Sequence, residues 1–89
     1  MAQRTTTIAS AVGLHARPAA VFSKAVAAAS GHTVSLTAKG KTIDARSILS
    51  ILSLSIGHGD EVTIDVDGAH AERVADELQA VLATDLDAA

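Results

Sequence analysis

The chain has 89 residues, a net charge of −3, no cysteine and one aromatic side chain, Phe22. A chain of this length makes one domain and buries only about 60% of its unfolded surface on folding, so residues 1–89 are expected to form a single unit around an aliphatic core of Ala, Val, Ile and Leu. The composition excludes a disulfide framework and thiolate chemistry, and no stretch approaches the roughly 20 apolar residues of a membrane span. The opening MAQRTTTIAS has no signal-peptide apolar run; together these predict a cytoplasmic protein with no membrane partner.

Residues Thr5 to Ile8 are rich in β-branched side chains and predict a first strand. From Ala16 to about Ala29, a stripe of Ala19, Phe22, Val26 and Ala29 recurs at three- and four-residue steps and predicts a helix, stopped by Gly31. Val34, Leu36 and Ala38 alternate with Thr33, Ser35 and Thr37, the period of a half-buried strand. Lys39-Gly40 reads as a tight turn, with Lys41 to Asp44 returning as a hairpin partner. The run SILSILSLSI, residues 47–56, carries both helical and alternating spacings; a Ser47 cap favours one or two helical turns followed by a loop. Gly57 and Gly59 bracket a turn, Val62, Ile64 and Val66 alternate with acids as a fourth strand, and Asp67-Gly68 breaks it. From about Ala69 to Ala83, Ala71, Val74, Ala75, Leu78, Val81 and Leu82 share one face of a final helix, and the tail beyond is expected to fray.

The order is strand, helix, strand, strand, helix, strand, helix. With every helix amphipathic and every strand apolar on one side, the simplest solution is an α+β, two-layer open-faced sandwich: a four-stranded antiparallel sheet with three helices on one face.

Charge is uneven along the chain. Arg4, Arg17, Lys24, Lys39, Lys41 and Arg46 share the first 46 positions with Asp44 alone, whereas the remaining 43 hold nine acids and Arg73. This distribution either steers the basic part towards an anion or an acidic protein surface, or interleaves once folded. Nucleic acid is a poor fit, since neither a basic excess nor aromatic stacking platforms are present.

The stretch GLHARPAA, Gly13 to Ala20, carries the chemistry. Pro18 is tolerated only in a helix's first turn, so the helix must begin close to His15. Unpaired amides at such a start, those of Ala16 and Arg17 included, sit at the positive end of the helix dipole and attract anions. Arg17 adds a forked donor suited to phosphate oxygens. Gly13 permits a backbone geometry closed to other residues. A neutral imidazole at His15 can attack phosphorus if the product's charge is offset. The same residues are equally a capped helix start beside a solvated arginine. His32, His58 and His70 are expected to face solvent. No histidine pair has a helical metal-site spacing, so no metal or cofactor is called for, and a Ser-His-Asp hydrolase lacks a nucleophile elbow.

GLHARPAA with Phe22, followed by GKTIDARSILSILSLSIGHGDEVTI, resembles the HPr family, the histidine-containing phosphocarriers of the bacterial phosphoenolpyruvate-dependent sugar phosphotransferase system, over nearly the whole chain. The resemblance implies the same open-faced sandwich. It also implies that His15 accepts a phosphoryl group on Nδ1 from enzyme I and passes it to the IIA component of a sugar permease, with Arg17 accompanying the phosphohistidine. Ser47 matches a serine that a dedicated kinase phosphorylates in some bacteria to regulate carbon use, which implies a serine kinase/phosphorylase or a transcriptional regulator as a further partner. Ile48, Leu49 and Leu52 match apolar docking positions beside this serine, with Ala20 and Phe22 following on the first helix; about half of the leucines and isoleucines near Ser47 are expected to be core. A monomer is expected; the alternative is a same-fold regulatory phosphocarrier, or a non-catalytic binding module, acting in nitrogen or carbon regulation. Ser50 and Ser55 stand where many relatives carry glycine or another residue.

Overall fold

The segment that reads as a strand from its β-branched residues starts three residues earlier than they do. In the computed structural model, which describes residues 2–9, 13, 16–29 and 31–84, β1 spans Ala2–Thr7 and pairs antiparallel with β4, Glu61–Asp67, from Ala2↔Val66 to Thr7↔Glu61. Pairing with β4, not local propensity, carries β1 back past its β-branched residues. Ile8, predicted inside the strand, lies just past it; its amide still donates to the Asp60 carbonyl and its carbonyl accepts from Gly59. The remaining strands are β2, Thr33–Ala38, and β3, Lys41–Asp44, giving the antiparallel sheet order β1-β4-β2-β3.

Register explains the two faces. Ala2, Val66 and Val34 share one row and Ile64 and Leu36 the next, all buried under the helices. One residue out of phase, Thr5, Thr63, Thr37 and Thr42 form a hydroxyl row across all four strands, with Thr5–Thr63 and Thr37–Thr42 contacts of 3.0 and 2.8 Å. The Lys39-Gly40 turn joins β2 to β3 with both residues at positive φ, +53° and +78°, the twist a two-residue hairpin loop requires.

Three helices cover the apolar face: α1, Ala16–Ala28; α2, Ile48–Ser53; and α3, Ala71–Leu82. The core joins Phe22 and Val26 of α1, Ile51 of α2, and Ala75, Leu78 and Leu82 of α3 to Leu36 and Ile64 of the sheet. α3 begins two residues later than its pattern suggests, because Gly68 and His70 both have positive φ (+141° and +56°) and hold the chain out of the right-handed helical region.

One sequence expectation changes in three dimensions, and one alternative left open by the sequence is partly decided. His32 does not face solvent: it is half-buried, Nδ1 lies 3.1 Å from the Ala29 carbonyl, and Nε2 contacts the Ala69 carbonyl, tying the end of α1 to the turn before α3. The charge asymmetry is partly interleaved: Arg4 Nε meets Asp76 at 2.8 Å and Lys39 Nζ lies 3.6 Å from Asp60.

Candidate functional site

α1 begins at Ala16, which makes Pro18 its third residue, still within the first turn, where an amide hydrogen has no carbonyl to reach. Pro18 is fully buried, whereas Arg17 and Ala20 are exposed. No acidic side chain occupies that turn, so within α1 nothing offsets the positive end of the helix dipole at the Ala16 and Arg17 amides. Arg17 has no hydrogen-bond or ion-pair partner among the described residues, leaving its guanidinium open to an incoming anion. His15 itself lies outside the described residues.

Gly13 fixes the approach to this helix start. Its φ is +73°, and a Cβ there would stand 2.3 Å from the Ile56 carbonyl oxygen and 2.7 Å from the Gly57 Cα. Two backbones therefore touch where only glycine leaves room. The segment it touches is closed on itself: the Gly57 amide donates to Asp60 Oδ2 at 2.7 Å, and the Asp60 amide donates back to the Gly57 carbonyl at 3.1 Å. Lys39 reaches over from the hairpin turn to donate to the Ser55 carbonyl at 2.6 Å. Ser55 itself has a φ of +51°, the left-handed region a glycine would enter more readily. The hydrogen bond from the Gly57 amide is the largest influence on the Asp60 carboxyl; it outweighs the opposing effect of burial and, with a lesser contribution from the Lys39 ammonium, holds the carboxyl below its ordinary range. Sequence reading missed Lys39 and Asp60; the GHGD turn signals a bend but not what closes it.

Beside α1, the predicted cap is in place. Ser47 Oγ accepts from the Ser50 amide at 3.2 Å and starts α2. Ser23 Oγ of α1 donates to the Arg46 carbonyl at 3.0 Å, pinning the start of α2 against α1. Leu49 is 81% exposed, Ile48 and Val21 are also uncovered, and Leu52 is half-buried. Ile51 points into the core. One predicted docking residue is corrected: Phe22 has no exposed surface, because it lies on the face of α1 opposite Arg17, Ala20, Val21 and Lys24, and it contributes to the core rather than to contact with a partner. Among the described residues no three His, Cys, Asp or Glu side chains converge as metal ligands, and no helix is long and apolar enough to cross a membrane.

The family model described as "PTS HPr component phosphorylation site" matches residues 2–84. Similar curated proteins include the phosphocarrier protein HPr of Cupriavidus necator, 36% identical over 93% of this chain and 92% of its own. Another is that of Streptomyces coelicolor, 33% identical over 98% and 94%. Among solved structures, HPr of Bacillus anthracis superposes with a TM-score of 0.83 at 36% identity, covering 91% of this chain and 95% of that one. Crh, the Bacillus subtilis catabolite repression protein, crystallised as a domain-swapped dimer, superposes at 0.71 with 32% identity over 92% and 93%.

Proposed function

The chain belongs to the HPr family of phosphocarriers, and on that premise we propose that it carries a phosphoryl group on His15, as one cytoplasmic domain, from phospho-enzyme I to the IIA component of sugar permeases. The observation that carries this reading is the match of the family's phosphorylation-site model across GLHARPAA. The lone pair of a neutral Nδ1 attacks phosphorus as the donor's bond to it breaks; the reverse transfer to the acceptor frees the imidazole. The Arg17 guanidinium and the first amides of α1 offset the charge of the phosphoryl oxygens. An Arg17 that is exposed and has no partner among the described residues supports a hold that is electrostatic and shallow, which lets the group leave again.

Docking is assigned to the uncovered side of α1 and α2. Arg17 and Lys24 flank Ala20 and Val21 on one helix face, and Ile48 and Leu49 add apolar surface, with Leu52 at its margin. Apolar contact ringed by cations suits a partner with an acidic rim. Ser47 borders this patch, so phosphorylation of its hydroxyl by a serine kinase would add a charge of about −1.5 to −2 beside it. That charge favours the start of α2 and opposes an acidic partner. The match to Crh, a catabolite repression protein, favours such regulation as a second role.

The test is incubation of the protein with phosphoenolpyruvate and enzyme I. One phosphate should be gained in an acid-labile, base-stable linkage and be absent from His15→Ala; an unmodified mass sinks the proposal. Arg17→Lys should keep the fold and slow transfer, because an ammonium lacks the forked donor.

A further inference from the structure

We propose that Asp60, braced by Lys39, is a positioning residue for phosphoryl transfer: it fixes the backbone platform on which the segment carrying His15 is mounted. The proposal rests on the carrier reading of His15. Chain connectivity puts His15 between Gly13 and the start of α1, and Gly13, like Ile8 before it, rests on residues 56–60. Upstream, the Ile8 amide donates to the Asp60 carbonyl at 3.0 Å and the Gly59 amide donates to the Ile8 carbonyl at 3.0 Å. Nearer to it, Gly13, two residues before His15 in sequence, lies backbone to backbone against Ile56 and Gly57, with no room for a methyl group. α1 starts three residues after Gly13.

The platform has no regular secondary structure of its own between α2 and β4, so its shape depends on side chains. The Asp60 carboxylate is the acceptor for the Gly57 amide at 2.7 Å, and Lys39 joins the same carboxylate (3.6 Å) to the Ser55 carbonyl (2.6 Å). Without the carboxylate, the Gly57 amide has water as its remaining partner, and the Gly13 contact loses the surface that defines it. As an exposed ion pair, Lys39–Asp60 adds little to stability; its consequence is geometric. Misplacement of a reacting group by about 1 Å can cost about 100-fold in rate. The Ile8 pairing persists in an Asp60 variant, so a smaller loss is expected. The docking face on α1 and α2 is built from other residues, so the loss should fall on turnover and not on partner affinity.

The experiment uses the full chain with Asp60→Ala, Asp60→Asn and Lys39→Met, with phospho-enzyme I as donor. Asp60→Ala should lower kcat for phosphorylation of the carrier about five- to twenty-fold, change its KM less than two-fold, and shift the backbone amide resonances of Gly13, Ala16 and Arg17 as well as Gly57. Asp60→Asn, which retains a side-chain oxygen for the Gly57 amide, should recover most of the rate. A kcat within two-fold of the parent, or amide shifts confined to residues 55–61, overturns the proposal. Loss of rate in the alanine and asparagine variants alike, with a matching loss of folded protein, also overturns it in favour of a merely structural role. If Asp60→Ala does not fold, Lys39→Met decides by the same two readouts. Should the parent protein accept no phosphate, the carrier reading fails on its own, and the amide shifts still decide whether Asp60 holds the Gly13 segment.

Discussion

Truncating Phe22 to alanine separates core from docking surface most sharply. Phe22 is fully buried, and its neighbours in the core include Ala19, Val26 and Ile51. Removing a buried aromatic ring costs about 3–5 kcal/mol, the lost transfer free energy plus the cavity left behind. For a chain of this size each kcal/mol lowers the thermal midpoint by roughly 4–8 °C, so Phe22→Ala should melt at least about 12 °C below the parent. Leu49 is the contrasting case. At 81% exposure, folding removes only about a fifth of its area from water, so Leu49→Ala should cost roughly 0.5 kcal/mol or less. Its effect should appear as a raised KM for carrier phosphorylation. Thermal or urea denaturation followed by circular dichroism measures the first pair of values, and steady-state kinetics the second. If Phe22→Ala loses less than about 1 kcal/mol while weakening partner binding as Leu49→Ala does, the assignment of the ring to the core is wrong.

Ser47→Ala removes the α2 cap and should destabilise the protein by about 1 kcal/mol, read from urea denaturation. Ser47→Asp keeps an acceptor for the Ser50 amide and should lose less stability while raising the KM for the donor protein. The Asp60 carboxyl titrates below its ordinary value in the folded protein, so its contribution is present above the unfolded carboxylate value of about 4 and is lost as pH falls through the lower folded value. The gap in thermal midpoint between parent and Asp60→Asn should therefore narrow on acidification below about pH 4; a gap independent of pH would refute that linkage.

Much of this protein is legible residue by residue because the deciding interactions are local. Pro18 forces the helix start through its own missing amide, Lys39-Gly40 makes its turn through two adjacent dihedrals, and Ser47 caps α2 by bonding the amide three residues on. Alternating Val34, Leu36 and Ala38 or Val62, Ile64 and Val66 declare their buried face by spacing alone. The stripe of Ala19, Phe22 and Val26 likewise marks the covered face of α1, whereas the six residues of α2 are too few for spacing to tell that Leu49 stays uncovered. Packing against other elements decides that.

The amino-acid sequence by itself determined the order of elements, the sheet-and-helix layering and the octapeptide in which His15 and Arg17 meet a helix start. Only the tertiary structure decided that β1 begins at Ala2, that His32 turns inward, that Arg4 reaches Asp76 across 72 positions, and that Gly13 rests on a loop closed by Asp60. The first set depends on dihedrals, caps and periodicities spanning a few residues. The second depends on hydrogen bonds and close contacts between segments tens of residues apart, whose partners exist only once the chain has folded.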